Sequence, residues 1–371
     1  MREYNFGPGS PDPGSFPTEA LAKAAVQAIN YVNGDLVKYP GARGYEALRE
    51  IAADRFMHRE GIEISRDLIE LTTGSMQAIR LVAEYFIKPG DTVITEEYTY
   101  SGTLSVFRHF QARIVGIPTD DDGMRMDLLE KSLDELAKQA ITPKFIYTIA
   151  NFQNPTGTVL SLQRRKKMLS LAKEYGFYIM EDDCYGDLRY EGEIVPAMYG
   201  LDNSGMVLYI ASFSKILGAG VRLGYFSAPQ PLLNEIASTK IDGGTNVLAS
   251  CIVAEYLKEN LWSHEEEINA IVKRKRDTML EALEEHLGGL ADWTHPPGGL
   301  FIWVKLPETT DTEKLHALLR EKGVICGAGR SFHCNSEDVK YIRLAFGYPS
   351  LDEIREGVSL LAQAVREAAG A

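Results

Sequence analysis

The feature that most constrains this chain is an alternation that runs from residue 69 to residue 228. Short apolar runs of strand length are separated by longer stretches with helical periodicity. The runs are IELTT (69–73), TVITE (92–96), ARIVGI (112–117), FIYTIAN (145–151), FYIMED (177–182), VLYIASF (207–213) and LGYFSA (223–228). Apolar residues recurring every three or four positions predict helices over 75–87, 101–110, 127–140 and 162–175. Strands alternating with helices predict a mostly parallel sheet covered on both faces. Only residues 214–222 separate the last two runs. That is too short for a helical crossover, so LGYFSA is expected to run antiparallel.

The flanks read differently. Residues 1–17 are rich in Gly and Pro and predict an extended arm, followed by a helix over 18–32 with Thr18 as its N-cap. A long charged helix is predicted over 263–287. It is followed by LFIWVKL (300–306), a helix over 311–322, VICGAG (324–329), YIRLAF (341–346) and a closing helix over 351–368. The expected organisation is therefore an arm and helix (1–38), a large α/β domain with a mostly parallel seven-stranded sheet (39–262), and a smaller α+β domain (263–371).

Composition removes some functions. A net charge of −13 argues against nucleic acid or an anionic membrane as partner. No apolar run approaches the roughly eighteen residues a membrane span needs, and the start MREYNFGPGSPDPGSF lacks a secretory apolar segment. Cys184, Cys251, Cys326 and Cys334 form no C-x-x-C pair. They read as reduced thiols, which places the chain in the cytoplasm. The histidines show no metal-ligand spacing, so no metal is expected. GAGVRLG (218–224) leads into a strand rather than a helix, which removes the context a dinucleotide fingerprint requires.

Several polar residues fall at the C-terminal ends of the predicted strands, where open α/β sheets bind ligands. Gly74 and Ser75 follow IELTT and open a helix. Asn154 follows FIYTIAN, Asp182 ends FYIMED, and Ser212, Ser214 and Lys215 follow VLYIA. Singly, each has a plain structural reading: a turn, a cap or a solvated lysine. Together they lie on one edge of one sheet. A helix start with Gly-Ser is an anion site, to which Ser75, Ser212, Ser214 and Arg222 can add donors. A lysine amine beside it suits imine formation, and a carboxylate nearby suits a protonated pyridine nitrogen. Lysine, acidic pyridinium partner and phosphate cup are together what pyridoxal phosphate requires.

The motifs then resemble a known family. SFSKILGAGVRLGY (212–225), NFQNPTGT (151–158) and EDDCYGDLRY (181–190) are similar to the lysine, Asn-Pro-Thr-Gly and Asp-x-x-Tyr segments of the class I/II aminotransferases, which are fold type I pyridoxal-phosphate enzymes. YPGARGYEALR (39–49), TTGSMQAI (72–79), TEEYTYSG (95–102), PPGGLFIWV (296–304) and YIRLAFGY (341–348) follow the family order. The nearest subgroup is the one holding 2-aminoadipate, aromatic and branched-chain aminotransferases. The resemblance implies ping-pong transfer of an amino group from an L-amino acid to a 2-oxo acid such as 2-oxoglutarate or pyruvate. Lyase, decarboxylase or oxidase chemistry on the same cofactor is the rival reading, and a non-catalytic ligand sensor is a more distant one.

The resemblance also implies roles. Lys215 would carry the cofactor and move the substrate proton. Asp182 would pair with the pyridine nitrogen, with Asp183 as the rival position. Tyr185 and Asn154 would bond the ring oxygen, and Tyr100 would stack on the ring. Ser75, Met76, Gln77, Ser212, Ser214 and Arg222 would hold the phosphate. Tyr39 would reach the phosphate of a neighbouring subunit, which implies a homodimer with shared sites. Arg343, with Asn154, would bind the substrate α-carboxylate. The arm FGPGSPDPGSF has no arginine for an acidic side chain. Tyr4, Phe6 and Phe16 are instead expected to line an apolar pocket.

Overall fold

A computed structural model describes residues 2–370. All seven predicted strands form: β1 (Ile69–Thr72), β2 (Thr92–Glu96), β3 (Arg113–Ile117), β4 (Phe145–Thr148), β5 (Tyr178–Asp182), β6 (Val207–Ser212) and β7 (Gly224–Ser227). They make one sheet in the order β1-β7-β6-β5-β4-β2-β3. β7 runs antiparallel to both of its neighbours, and the other pairings are parallel. Strands β1, β2, β4, β6 and β7 are buried at every position, the consequence of helices covering both faces. The helices Ser75–Phe86, Ser101–His109, Met126–Lys138 and Leu162–Tyr175 lie between strands, as the periodicity predicts.

A second sheet combines β8 (Asp292–Trp293), β9 (Phe301–Lys305), β10 (Gly327–Ala328) and β11 (Tyr341–Ala345) in the order β8-β9-β11-β10, all antiparallel. VICGAG is not one strand. Val324–Ile325 pairs with the arm, parallel to Tyr4–Asn5, and only Gly327–Ala328 joins the sheet. Helices Thr312–Glu321 and Leu351–Ala369 pack on each other and on Val324–Ile325; the second opens on a capping box between Ser350 and Glu353.

Two helix boundaries depart from the sequence reading. Thr18 is the first helical residue rather than the cap; its hydroxyl donates to the Phe16 carbonyl. The long helix runs over Val247–Leu287 instead of starting at 263. Asn246 caps it, accepting from the Ala249 amide at 3.0 Å. Its first turns bury Cys251, Val253, Ala254 and Leu257 and pack against the helices Thr18–Val32 and Glu46–Glu60. A segment with helices as neighbours shows little of the charge patterning that marks a solvated helix.

The arm is part of the core. Phe6 is fully buried, its amide donates to Ile325 O at 2.8 Å, and its carbonyl accepts from Ala345 N at 2.9 Å. A side chain at Gly357 would meet the Phe6 ring at 2.5 Å, so that glycine makes the space the ring fills. Tyr4 and Phe16 lie elsewhere: the Tyr4 hydroxyl bonds Glu356, and Phe16 is exposed. The apolar pocket expected from these three aromatics is not formed, because Phe6 faces the small domain. Replacing Phe6 with alanine should destabilise the protein by about 3–5 kcal/mol. Urea unfolding followed by circular dichroism measures it, and an unchanged midpoint would show the arm to be dispensable.

Candidate active site

The sequence Glu181-Asp182-Asp183 places three acids in a row at the end of β5. The pleat sends successive side chains to opposite faces. Glu181 faces helix Leu162–Tyr175. Its carboxylate accepts from the Met198 and Tyr199 amides at 2.9 Å each, with Arg165 at 3.6 Å, and burial raises its pKa to about 7. Asp183 accepts from Asn151 Nδ2 and the Tyr209 hydroxyl, both at 2.7 Å, and from Arg59. Asp182 faces the other way. Its carboxylate accepts from the Tyr147 hydroxyl at 2.7 Å and the Cys184 amide at 3.2 Å. Burial pushes Asp182 above the usual carboxylate range against the pull of those bonds. A cation next to it would offset that penalty.

Beneath this point lies a buried ion cluster. Arg55 Nε donates to Asp187 Oδ1 at 2.8 Å, and Arg55 Nη2 donates to the Ser212 carbonyl at 3.1 Å. Arg59 bridges Asp183 and Asp187. The strand end that presents Asp182 and the one that leads to Lys215 are thus fixed to the same two arginines.

The anion site is built by close backbone approach. Gly74, at φ 74°, opens helix Ser75–Phe86, and a Cβ there would lie 2.7 Å from Arg222 Nη2. A Cβ at Gly224 would lie 2.8 Å from the Ser75 amide. Strand β7 and the Arg222 guanidinium can therefore press onto the helix start only because both positions are glycine. Arg222 donates to Thr73 O at 3.1 Å, and Ser212 Oγ accepts from the Ser214 amide at 3.0 Å.

Lys215 lies in the short helix Ser214–Leu217. Its Nζ donates to Gly9 O of the arm at 2.7 Å and lies 5.4 Å from the centre of the Tyr185 ring. Burial holds its pKa below the usual lysine value, and Arg343 and Arg222 add to the effect; Cys184 and Asp182 act in the opposite sense. Arg343, on β11, donates from Nη1 to Asn154 Oδ1 at 2.9 Å and from Nη2 to Gly7 O, while its buried Nε has no partner. Burial lowers its pKa to about 10.

All the predicted site residues except Gln77 and Tyr39 line one cleft of about 330 Å³, a size suited to a small molecule. The Gln77 side chain accepts from the Thr73 amide and donates to Asp242, and its amide donates to Gly74 O. Tyr39 is 89% exposed and does not line the cleft of its own chain. Sequence reasoning missed Tyr147, Cys184, Phe301, Phe332 and the carbonyls of Gly7 and Gly9. Tyr147 alone had a signal, as the polar-tipped residue of the buried run FIYT.

The family model for aminotransferase class I and II matches residues 4–360. The chain belongs to this family. The aromatic-amino-acid aminotransferase 1 of Thermococcus litoralis is 38% identical over 97% of this chain and 87% of its own length. The 2-aminoadipate transaminase of Thermus thermophilus is 31% identical over 98% of this chain and 90% of its own. A crystal structure of Pyrococcus horikoshii kynurenine aminotransferase, in complex with PMP, shares 37% identity at a TM-score of 0.94, covering 99% of this chain and 91% of that one. The protein is thus a fold type I aminotransferase that uses pyridoxal phosphate to move an amino group from an amino acid to a 2-oxo acid.

The residues present fit that cofactor. The crowded helix start with Arg222 suits a phosphate, and buried Asp182 has no ion-pair partner among the described residues, a place a pyridinium would fill. The lowered pKa of Lys215 leaves more of the amine neutral and nucleophilic at a given pH than in a solvated lysine. Covalent attachment of pyridoxal phosphate to the aminotransferase, trapped by borohydride, should rise with pH with a midpoint below 10.5. Peptide mapping of the trapped protein should find the label on Lys215; a label on another lysine would contradict the geometry.

Proposed function

We propose that this aminotransferase takes neutral apolar or aromatic L-amino acids as donors and works as a cytoplasmic homodimer. The observation that carries the donor class is the cleft wall. Its only cations among the described residues are Lys215, Arg222 and Arg343, and its apolar surface comes from Met76, Tyr100, Ile149, Phe301 and Phe332. Each cation has a task on the shared part of every substrate or on the phosphate. A second carboxylate on the donor would be buried without a counter-charge.

Pyridoxal phosphate supplies the carbonyl that accepts the amino group and the ring that takes up the electron pair left at Cα. The chain's own residues do the rest. Ser75, Ser212, Ser214 and Arg222 would hold the phosphate, with the Met76 amide at the helix start. Asp182, fixed by Tyr147, would keep a proton on the pyridine nitrogen. Tyr185 and Asn154 would bond the ring oxygen, and Tyr100 would cover the ring face. Lys215 Nζ takes the proton from Cα, which a neutral buried amine can do. Arg343 binds the α-carboxylate along its Nε–Nη2 edge, where one nitrogen is unpartnered and the other has only the neutral Gly7 carbonyl.

The dimer reading rests on exposed apolar residues. Tyr31, Val37, Tyr39 and Ile241 are each at least 83% exposed. Tyr39 packs near Gly243, and Pro40 packs near Gly244, so the loops carrying Val37, Tyr39 and Ile241 share one surface. Tyr39 there is free to reach a second subunit. The cytoplasmic reading rests on four free cysteines and on the absence, among the described residues, of a helix long and apolar enough to cross a membrane.

Two measurements test this. Mixed with single amino acids and no acceptor, the holoenzyme should convert its cofactor to the amine form with phenylalanine, tyrosine or leucine. It should do so at least about tenfold more slowly with 2-aminoadipate or glutamate; faster conversion by the diacids would reverse the donor assignment. Ile241→Asp should shift the protein toward monomer in sedimentation velocity, and an unchanged mass would remove this surface from the interface.

A further inference from the structure

Arg343 has an unusual environment for a cation. No carboxylate lies within salt-bridge distance of it among the described residues, and its neutral partners are Asn154 Oδ1 and Gly7 O. Its guanidinium carbon instead lies 4.4 Å from the centre of the Phe301 ring and 4.6 Å from that of Phe332. Both rings are almost completely buried, at 1% and 3% exposure. They come from different elements: Phe301 heads β9, and Phe332 follows the turn Gly329–Ser331.

The space for both rings is reserved. A Cβ at Gly9 would lie 2.6 Å from Phe301 Cζ, and one at Gly327 would lie 2.9 Å from Phe332 Cε2. Each ring is also held from outside the pair. Tyr185 meets Phe301 edge-on at 5.3 Å, and Trp303 meets Phe332 edge-on at 5.7 Å. The Phe332 carbonyl accepts from the Thr99 amide at 2.9 Å, tying it to the loop that carries Tyr100. Ring faces carry partial negative charge and attract a guanidinium, most strongly where water is excluded. Two such faces can hold an arginine that has no carboxylate to hold it, while leaving its hydrogen-bonding edge unused.

We propose that Phe301 and Phe332 are positioning residues that hold Arg343 by cation–π attraction, so that its Nε–Nη2 edge is ready for the substrate carboxylate. This rests on the reading of Arg343 as the carboxylate receptor. The rings touch no reacting atom. Their effect falls on binding, which every substrate shares, so their loss raises KM with little change in kcat.

Fluorination separates this role from packing, because it drains the ring face of charge and changes ring shape little. The holoenzyme is prepared with 4-fluoro-, 3,5-difluoro- and 3,4,5-trifluorophenylalanine at position 332, and separately at 301. Each is titrated with 3-phenylpropionate and with 4-methylpentanoate, carboxylates that lack the amine, and the cofactor absorbance is followed. Kd should rise stepwise to about tenfold at the trifluoro ring, equally for both ligands. A flat series, or a rise confined to the aromatic ligand, overturns the proposal. Arg343→Ala is run alongside. If it binds both ligands as the unaltered enzyme does, the carboxylate reading itself fails; if it loses binding while the fluorine series is flat, only the role of the rings fails.

Discussion

The buried pairing of Arg55 and Arg59 with Asp183 and Asp187 is the interaction on which the rest of the site depends. It joins helix Glu46–Glu60 to the segment that follows β5 and, through the Ser212 carbonyl, to the end of β6. Each arginine pairs with a carboxylate, which is what buried ions require, and Arg55 Nη1 is left without a hydrogen bond among the described residues. Burial alone would raise Asp187; the Arg55 charge overcomes it and holds the carboxylate below its usual range. With Asp183 fixed on one face of the chain, the pleat leaves Asp182 no direction but into the cleft. The choice between two adjacent aspartates is therefore made by the cations beneath them.

The arm is the second constraint. It enters the small domain as a strand against Val324–Ile325, buries Phe6 there, and then crosses the cleft with Gly7 and Gly9. Asp12 pairs with buried Lys275, whose Nζ also donates to Gly347 O at 2.8 Å, so the crossing is fixed at both ends. Lys215 and Arg343, the two cations proposed to act on the substrate, both donate to carbonyls of this one short segment. A neutral carbonyl is a weaker partner for either than a charged ligand group, so the arm satisfies them without competing strongly.

The large sheet was legible because its strands are apolar on both faces and its turns short. Even the reversal of β7 followed from the nine-residue spacing of 214–222. The cofactor side of the site was legible for a related reason: residues at the ends of parallel strands converge whatever their sequence separation. What stayed hidden depends on contacts between distant segments. The two-residue pairing of the arm with Val324–Ile325 has no periodicity to read. Residues 247–254 carry no charged side chain, and helices Thr18–Val32 and Glu46–Glu60 pack against this part of the helix. Phe301 and Phe332 look like ordinary core aromatics until Arg343 is placed beside them, and Tyr39 and Gln77 face away from the cleft of their own chain.

The two layers of charge at this sheet edge serve opposite ends. Below, Arg55, Arg59 and Arg165 face Glu60, Glu181, Asp183 and Asp187, so each arginine of that layer has a carboxylate partner from the chain itself. Above, Lys215, Arg222 and Arg343 line the cleft with, among the described residues, a single carboxylate, Asp182. That upper layer carries excess positive charge, and burial accordingly pushes both Lys215 and Arg343 toward losing their protons. That excess has the sign that an anionic phosphate and a substrate carboxylate complement. The ligands bring the missing negative charge, so binding them relieves a cost that the folded protein alone bears, and the gain appears as affinity and as added stability of the loaded enzyme. A cleft with its charges already balanced would be a more stable protein and a poorer receptor.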